Sequence, residues 1–219
     1  MITWINAIAR KSRFKRFWGI AREVFWIEKF LFFQYDVATI ASREDTPFPF
    51  RFRIAAPDDI QAMAQTNRHN FFSAEVPYYL KISQGNNFMI LMEDQAQRIA
   101  YSACLFSAKK FTNRVFQLKD DEAYMLASFT LPEYRRRGIR QRCVFEMCKI
   151  CHQRKTNKIL AVIESSNIAS IKSGEKVGAV RTDSGFYQLR IWKRDFIFPF
   201  GSLRSRFRRM TPEDKEDIV

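Results

Sequence analysis

One stretch constrains the fold more than any other, Leu131–Val144, which reads LPEYRRRGIRQRCV. An apolar run from Ala123 to Leu131 precedes it, and an amphipathic run from Ile139 to His152 follows it. Pro132 ends a strand because it has no N–H to donate, and Gly138 lets the backbone bend or approach a ligand closely. The stretch therefore predicts a strand, a tight turn, and a helix whose first amides face an anion.

Three arginines, Arg135, Arg136 and Arg137, come directly before Gly138. Consecutive backbone amides at a turn into a helix form an anion-binding concavity. Arginine adds permanently charged, bidentate donors, which suit a diphosphate. Two interpretations stay open on these residues alone, a phosphate site or a basic surface loop, because a lone glycine with basic neighbours is a weak motif.

The remaining apolar patterns predict a mixed sheet with helices on both faces. The predicted strands are 31–40, 50–55, 87–92, 98–108, 123–131, 158–164, 186–192 and 195–200, with a short strand near 115–118. Helices are predicted from Pro57, over 138–152, and over 167–177 before Gly178. Residues 70–80 carry aromatics that fit either the core or a pocket.

This order of predicted strands and helices divides the chain into three parts. Residues 1–49 hold an N-terminal helix, an extra strand and a linker, and residues 50–200 form the main domain. Residues 201–219 form an Arg-rich segment and an acidic tail, for which disorder is predicted.

Residues 1–29 predict a basic amphipathic helix. Its apolar face has the spacing of one helix side and consists of Phe14, Phe17, Trp18, Ala21 and Phe25. Two interpretations stay open. The helix lies on an anionic membrane with its aromatics inserted, or its aromatic face packs on the domain.

The charge balance predicts an anionic partner. The chain has 37 Lys and Arg against 23 Asp and Glu, a net charge of +14, which suits nucleic acid, anionic lipid or a polyphosphate cofactor. No nucleic-acid-binding motif is present, and the basic excess lies in 10–22 and 193–209. With no apolar run of the roughly 20 residues that cross a bilayer, and no leader pattern, a cytoplasmic protein is expected, or a peripheral one on the inner face of a membrane.

The cysteines predict packing rather than metal binding. Cys143, Cys148 and Cys151 share one predicted helix, Cys104 lies far upstream, and a reducing compartment is expected. At about 100° per residue the helical thiols point in different directions, so no metal site is predicted. Small packing residues are expected instead, with at most one thiol exposed. Neither histidine, His69 or His152, has a triad-like setting.

A second stretch, Asn167–Ala179, strengthens the interpretation of the first stretch as a phosphate site. The two stretches together resemble the GNAT acetyltransferase superfamily, whose pyrophosphate loop, Arg/Gln-x-x-Gly-x-Gly/Ala, matches Arg135–Arg140. The family's downstream pattern, Asn-x-x-Ser/Ala and then Lys-x-Gly-Phe, matches Asn167–Ser170 and Lys176–Ala179. The resemblance covers about 50–200 and implies an α/β fold of the α+β type, with a mixed, mostly antiparallel sheet.

The resemblance also implies a donor and a site. The strand ending at Leu131 is expected to splay from 158–164 and to pair its free edge with the pantetheine arm of acetyl-CoA. The implied cofactor-binding residues are Phe129, Thr130, Leu131, Arg135, Arg136, Arg137, Gly138, Ile139, Arg140, Asn167 and Ser170. A primary amine of a small molecule or polymer precursor attacks the thioester held in line, and a base takes its proton.

Departures from the family pattern leave the chemistry incomplete. Arg140 replaces the usual small residue, Ala179 replaces the common Phe, and Gly174 stands where many members carry the tyrosine that protonates the leaving thiolate. The polar candidates for catalysis are Glu122, Tyr124, Ser128 and Tyr187, each of which fits a structural role as well. The alternative function is a weak or inactive CoA-binding scaffold whose basic ends bind an anionic membrane or nucleic acid, and a homodimer stays open.

Overall fold

The computed structural model describes residues 25–43, 46–66, 79–80, 87–107, 116–191 and 194–207. Its strands are β1 (Phe25–Asp36), β2 (Arg51–Ile54), β3 (Phe88–Glu93), β4 (Ile99–Ser107), β5 (Glu122–Thr130), β6 (Lys158–Glu164), β7 (Val180–Ile191) and β8 (Arg194–Phe200). Its α-helices are α1 (Val37–Ala41), α2 (Pro57–Thr66), α3 (Ile139–Gln153) and α4 (Ile168–Val177). The predictions for 1–24, for most of 70–80, and for 208–219 lie outside the described residues.

Across the described part of the chain, the eight strands form one sheet in the order β2-β3-β4-β5-β6-β1-β7-β8. Among these strands only β5 and β6 are parallel neighbours, and helix α3 connects them along the chain. The other neighbouring strands are antiparallel. Helices α1, α3 and α4 share the core on one face, and α2 contributes Ile60 and Met63 to the core on the other. The predicted mixed, mostly antiparallel sheet with helices on both faces is confirmed.

The N-terminal strand differs most from expectation. The predicted strand at 31–40 begins earlier, and residues 25–29, predicted as the end of a helix, pair with β7 instead. Strand pairing across the sheet here overrides the helical spacing of the side chains. The strand ends at Asp36, whose carboxylate accepts a hydrogen bond from the Thr39 amide (2.8 Å) and caps α1.

β1 lies inside the sheet, between β6 and β7, rather than outside the main domain. Leu31, Phe32, Phe33 and Tyr35 are all buried there. The sheet therefore continues across the predicted boundary at residue 49, and the division into parts stays a prediction.

The C-terminal strands also shift. β7 starts six residues before the predicted 186, because Val180 and Arg181 pair with Gln34 and Phe33 of β1. The short strand predicted near 115–118 is a single bridge between Phe116 and Phe207.

All four cysteines are free and buried, which confirms that they pack, and none of the four thiols is exposed. The three thiols of α3 pack into the core, and burial raises the pKa of Cys148 and Cys151 to about 12. Among the described residues, no group of three or more His, Cys, Asp or Glu side chains is arranged to hold a metal ion. In the same part of the chain no helix is long and apolar enough to cross a bilayer.

Candidate functional site

A cleft opens where β5 and β6 separate. The two strands pair from Glu122 with Lys158 to Met125 with Ala161. Beyond that point β5 pairs only with β4, and β6 pairs only with β1. The predicted splay is confirmed, and it leaves one edge of each strand facing the cleft.

A bulge bends β5 at the start of the cleft. Ala127 and Ser128 together stand opposite one residue of β4, because Cys104 pairs with Leu126 and Ser102 pairs with Phe129. Ala127 adopts a left-handed φ of 52°, and such bulges re-aim the side chains beside them.

The turn that follows β5 carries free backbone donors. Gly138 has a φ of 74° and is the residue before α3, and its carbonyl accepts the first helical hydrogen bond, from the Arg142 amide (3.0 Å). The amides of Ile139, Arg140 and Gln141 therefore have no acceptor within the helix. These amides and the helix dipole favour an anion.

The turn is fixed to the β3–β4 hairpin. The Tyr134 hydroxyl donates a 2.7 Å hydrogen bond to Asp94, which also accepts from Arg98 Nε (2.8 Å). These bonds, that from Tyr134 first, hold the pKa of Asp94 well below its usual value. The hairpin thus positions the turn.

The three arginines before Gly138 are exposed at the mouth of the cleft. The Arg137 guanidinium lies over the Tyr134 ring (5.5 Å), and Arg135 Nε donates to the Thr130 carbonyl (3.3 Å). Three positive charges therefore lie in the turn that leads to the free amides, which makes this end of the cleft electropositive.

The end of β5 directs one residue's backbone groups at the cleft. The Leu131 amide donates to Ala100 of the neighbouring chain segment (3.0 Å), so it is directed toward β4. Because backbone groups alternate between the two neighbours of a strand, Thr130 faces the cleft instead. The expected pairing of a ligand with backbone groups near Phe129 and Leu131 stays a prediction, and Thr130 lies between these two residues.

Asn167 and Ser170 lie at the start of α4, shortly after β6, the second strand that borders the cleft. The Asn167 side chain accepts from the Ser170 amide (3.1 Å) and caps the helix. The Ser170 carbonyl accepts a 2.7 Å hydrogen bond from Arg140 Nη1. Arg140 therefore links the first turns of α3 and α4, rather than extending toward solvent beside the other arginines.

Tyr35 is a residue that the sequence did not single out. Its hydroxyl lies 3.1 Å from the position that a Cβ would take at Gly174. It is buried, and its hydroxyl has no hydrogen-bond partner among the described residues. Burial raises the pKa of Tyr35, and the nearby positive charge of Arg140 opposes that rise. The sequence does not indicate a role for Tyr35, because the residue lies within an apolar run that is typical of any buried strand. Its side chain lies under α3 and α4 only because β1 occupies a central position in the sheet.

Glu122, proposed as a catalytic candidate, is remote from the turn. It is the first residue of β5, about 26 Å from Thr130 at 3.3 Å per residue. Its buried carboxylate pairs with Arg206 and accepts from the Lys119 amide (2.9 Å). These contacts tie the C-terminal segment to the sheet.

The other three candidates for catalysis lie in different parts of the fold: one in the core, one at the cleft and one on an outer strand. Tyr124 is buried in the core beside α2. Ser128 lies in the half of β5 that does not pair with β6, and it shares a 2.6 Å hydrogen bond with the Tyr101 hydroxyl. Tyr187 is exposed on β7, which lies two strands, or about 10 Å, from β6. Only Ser128 is brought to the cleft.

A carboxyl pair at the end of β6 was also missed. The Ser166 hydroxyl lies 2.5 Å from Glu164 Oε1 and 3.4 Å from Glu28 Oε1. Partial burial and the charge of Glu164 raise the pKa of Glu28. The position of Glu164 directly after an apolar strand is the sequence signal that could have identified it, whereas Glu28 depends on the pairing of β1.

A pocket of about 570 Å³ lies beside the turn on the face of α2. Its polar lining comes from the hairpin and the turn, and includes Asp94, Arg98, Glu133 and Arg137. This pocket and the cleft between β5 and β6 meet at Leu131, which follows β5 and lines the pocket.

Comparison with protein families matches residues 46–179, more than half of the chain, to the acetyltransferase (GNAT) family. Comparison with curated proteins finds no match.

Solved structures share the fold at low sequence identity. A GCN5-related N-acetyltransferase from Sphaerobacter thermophilus has a TM-score of 0.57 and 10% identity, and covers 83% of this chain and 57% of its own. An acetyltransferase of the GNAT family from Colwellia psychrerythraea has a TM-score of 0.56 and 13% identity, and covers 81% and 57%. A Drosophila protein has a TM-score of 0.54 and 13% identity, and covers 84% and 58%. The chain thus spans less than two thirds of the length of these structures.

Proposed function

Because the chain belongs to the GNAT acetyltransferase family, we propose that it is an N-acyltransferase that moves an acetyl or other short acyl group from acyl-CoA to a primary amine. The observation that carries the proposal is the cleft between β5 and β6, which ends at the free amides of Ile139–Gln141. An extended arm fits the unpaired edge of β5, and a diphosphate fits the amides. The same cleft would then hold a whole acyl-CoA.

The proposed roles follow from position. The amides of α3 and the exposed Arg135–Arg137 bind the pyrophosphate, and the free edge of β5 near Thr130 pairs with the pantetheine amides. Bound acyl-CoA supplies an activated thioester, and the chain contributes by holding it in line with the amine.

Glu164 and Glu28 are the proposed proton acceptor for the amine. They share Ser166 at the end of β6, where that strand borders the cleft. A carboxyl whose pKa is raised toward the working pH is a better base than an ordinary carboxylate. This assignment replaces Glu122, which lies at the far end of β5.

Binding of acetyl-CoA, measured by titration calorimetry, tests the donor site. Gly138→Glu places a negative charge among the free amides and should weaken binding at least about tenfold. Gln153→Glu makes the same charge change at the exposed far end of α3 and should leave binding within about twofold. Wild-type protein that binds no CoA compound would refute the function.

A second candidate function, a CoA-binding scaffold without transfer activity, is favoured by Gly174. No side chain projects from this position, and the Tyr35 hydroxyl beneath it is fully buried. Thiol release from acetyl-CoA in the presence of a panel of primary amines separates the two functions. Tight donor binding with no release above the rate without amine would support the scaffold.

A further inference from the structure

The last three strands in the order of the sheet, β1, β7 and β8, carry an apolar face whose side chains are exposed. Directly paired residues, and residues two apart along one strand, point to the same side of a sheet. The registers therefore bring six side chains together in two rows, Ile27–Leu189–Phe196 and Lys29–Tyr187–Phe198. These six residues form the outer face. Ile27 is 56% exposed and Phe198 is 51% exposed.

The outer face lies beyond the part of the sheet that the helices cover. Leu31 is on the same side of β1 and is only 3% exposed, in the core that α1, α3 and α4 share. Ile27 precedes it by four residues, about 13 Å along the strand, and is open to solvent. On the opposite side of these strands Phe207 packs on Phe186 (5.8 Å). The two sides of the same strands therefore differ, and the outer face is the open one.

The other large apolar side chains that are exposed in the described part of the chain stand singly. They are Ile54, Ile168 and Val180. Single exposed apolar residues are normal on a folded protein. A contiguous exposed apolar patch instead marks a site that binds a protein, a ligand or a membrane. The outer face is a patch of this second kind.

A cation lies among the rings of the outer face. Lys29 Nζ is 5.6 Å from the centroid of the Tyr187 ring and 5.3 Å from that of the Phe200 ring. Its neighbour Glu28 points to the opposite side of the sheet, where it accepts from the Ser166 hydroxyl. Among the described ion pairs, none includes Lys29. Aromatic rings beside a lysine are typical of the zone where a bilayer meets water.

The sequence adds positive charge at the same end of the sheet. Phe25 pairs with Ile191, and Ile191 pairs with Arg194, so the start of β1 lies beside the turn between β7 and β8. Residues 10–22, which lead toward β1, contain no acidic residue and six basic ones: Arg10, Lys11, Arg13, Lys15, Arg16 and Arg22. An anionic surface attracts this end of the chain.

A second copy of the chain suits the outer face less well than a lipid surface does. Two copies packed through this face would bring like charges together, which opposes association. β8 is an edge strand, but Pro199 removes one of the N–H groups that strand-to-strand pairing needs. A flat anionic partner is opposed by neither feature.

A nucleic acid also suits the outer face less well. Bases stack on free faces of aromatic rings. The Tyr187 ring already has the Lys29 ammonium over it and packs against the Phe200 ring (5.5 Å). Ile27 and Leu189 offer aliphatic surface in place of rings, which suits acyl chains better than bases.

We propose that the outer face docks on an anionic lipid bilayer. Ile27, Phe196 and Phe198 enter the boundary between headgroups and acyl chains, and the Lys29 ammonium stays at the level of the lipid phosphates. The docked strands lie on the far side of β6 from the cleft, so the cleft stays open. The docking does not depend on the reaction proposed for the cleft.

The first test measures binding of the full chain to lipid vesicles by co-sedimentation. Wild-type protein should bind mixed vesicles, phosphatidylcholine with about 30% phosphatidylserine, about tenfold or more tightly than phosphatidylcholine alone. Phe196→Thr and Phe198→Thr together should weaken binding to the mixed vesicles about tenfold or more, because two rings no longer insert. Threonine suits a strand, so this double variant should melt close to wild type. Lys29→Gln should weaken the same binding about threefold.

Ile54→Thr is the matched control. Ile54 is 48% exposed on β2, the strand at the other edge of the sheet. It therefore loses a similar exposed apolar side chain outside the outer face. Its binding to the mixed vesicles should stay within about twofold of wild type.

The second test reports the position of the contact and does not depend on a loss of binding. All four native cysteines are buried, so a thiol-reactive, environment-sensitive dye should label the Phe198→Cys variant at the substituted position. Its emission should rise and shift to the blue when mixed vesicles are added. The same dye on the Ile54→Cys variant should show no such change.

The dye response at position 198, together with the loss of binding in the double variant, would support the proposal. Wild-type protein that does not bind the mixed vesicles would overturn it. Vesicle binding that persists in the double variant, with no dye response, would also overturn it and assign the attachment to another segment.

Two further outcomes would replace the lipid with another partner. A wild-type dimer that the double variant converts to a monomer in sedimentation equilibrium would assign the outer face to a second copy. Loss of binding to a labelled single-stranded oligonucleotide in the double variant, with vesicle binding unchanged, would assign it to nucleic acid. No readout in these tests involves CoA, so each result leaves the proposed function as it stands.

Discussion

At the scale of single residues, substitution of Gly138 measures the cost of backbone strain apart from the cost of steric crowding. An alanine methyl there would meet Phe48 at 3.9 Å and Gln141 at 4.0 Å, which are ordinary contacts. The cost of Gly138→Ala therefore comes from its φ of 74°, and should be about 1 to 2 kcal/mol of unfolding free energy in urea titration. Gly138→Asn should cost less, because asparagine tolerates this conformation. Equal costs would contradict the assignment of the strain to φ.

Glu164 gives a prediction with a definite pH dependence. Its charge helps to raise the pKa of Glu28, so the folded state favours the protonated form. The resulting stabilisation is present below the ordinary pKa of 4.5 and is lost as pH rises through the raised pKa of Glu28. Glu164→Gln should therefore raise the melting temperature at pH 7 by about 1 to 2 °C, a small amount because solvent screens the pair. At pH 4 the gain should vanish, and an equal gain at both values would contradict the coupling.

At the scale of elements, the sequence predicts the β5–turn–α3 unit and α4 almost to the residue. Their ends are local signals, Pro132 and Gly138 before α3 and Gly178 after α4, and local signals do not depend on the rest of the fold. β1 and the first half of β7 were misjudged, because their conformation is set by pairing with distant segments.

In the candidate site, too, features with local sequence signals were predicted, and features that depend on distant packing were not. The anion-binding turn was predicted from Arg135–Gly138, and the splay from the family resemblance. The inward direction of Arg140, its contact with Ser170 and the approach of Tyr35 to Gly174 were not predicted. Those three features arise only when β1, α3 and α4 pack together.

Gly185 tests the contact between β1 and β7. A methyl group at this position would lie 2.2 Å from the Phe30 carbonyl oxygen and 2.5 Å from the Phe200 ring. Gly185→Ala should therefore force the strands apart and cost about 2 kcal/mol or more of unfolding free energy. Gln188→Ala, on the same strand, should cost about 0.5 kcal/mol or less. A neutral Gly185→Ala in denaturant titration would show that β7 can shift without penalty.

At the scale of the whole molecule, β1 decides where a stable fragment can begin. It pairs with β6 on one side and β7 on the other, and buries Phe32, Phe33 and Tyr35. The full chain should melt cooperatively in circular dichroism. A chain that begins at residue 46, where the family match starts, should not, because β6 and β7 each lose a neighbour. A cooperative transition in the shorter chain would contradict the structural role of β1.

The same strand sets the order of events during synthesis. Of the described strands β1 is translated first, whereas its neighbours β6 and β7 are translated sixth and seventh. Until then the aromatic run Phe30–Phe33 has no sheet to enter, and an unpaired apolar strand of this kind invites self-association. We therefore expect this segment to be the part of the nascent chain that a chaperone binds. The first of the described strands to be synthesised can therefore pair only after the sixth and seventh have been made.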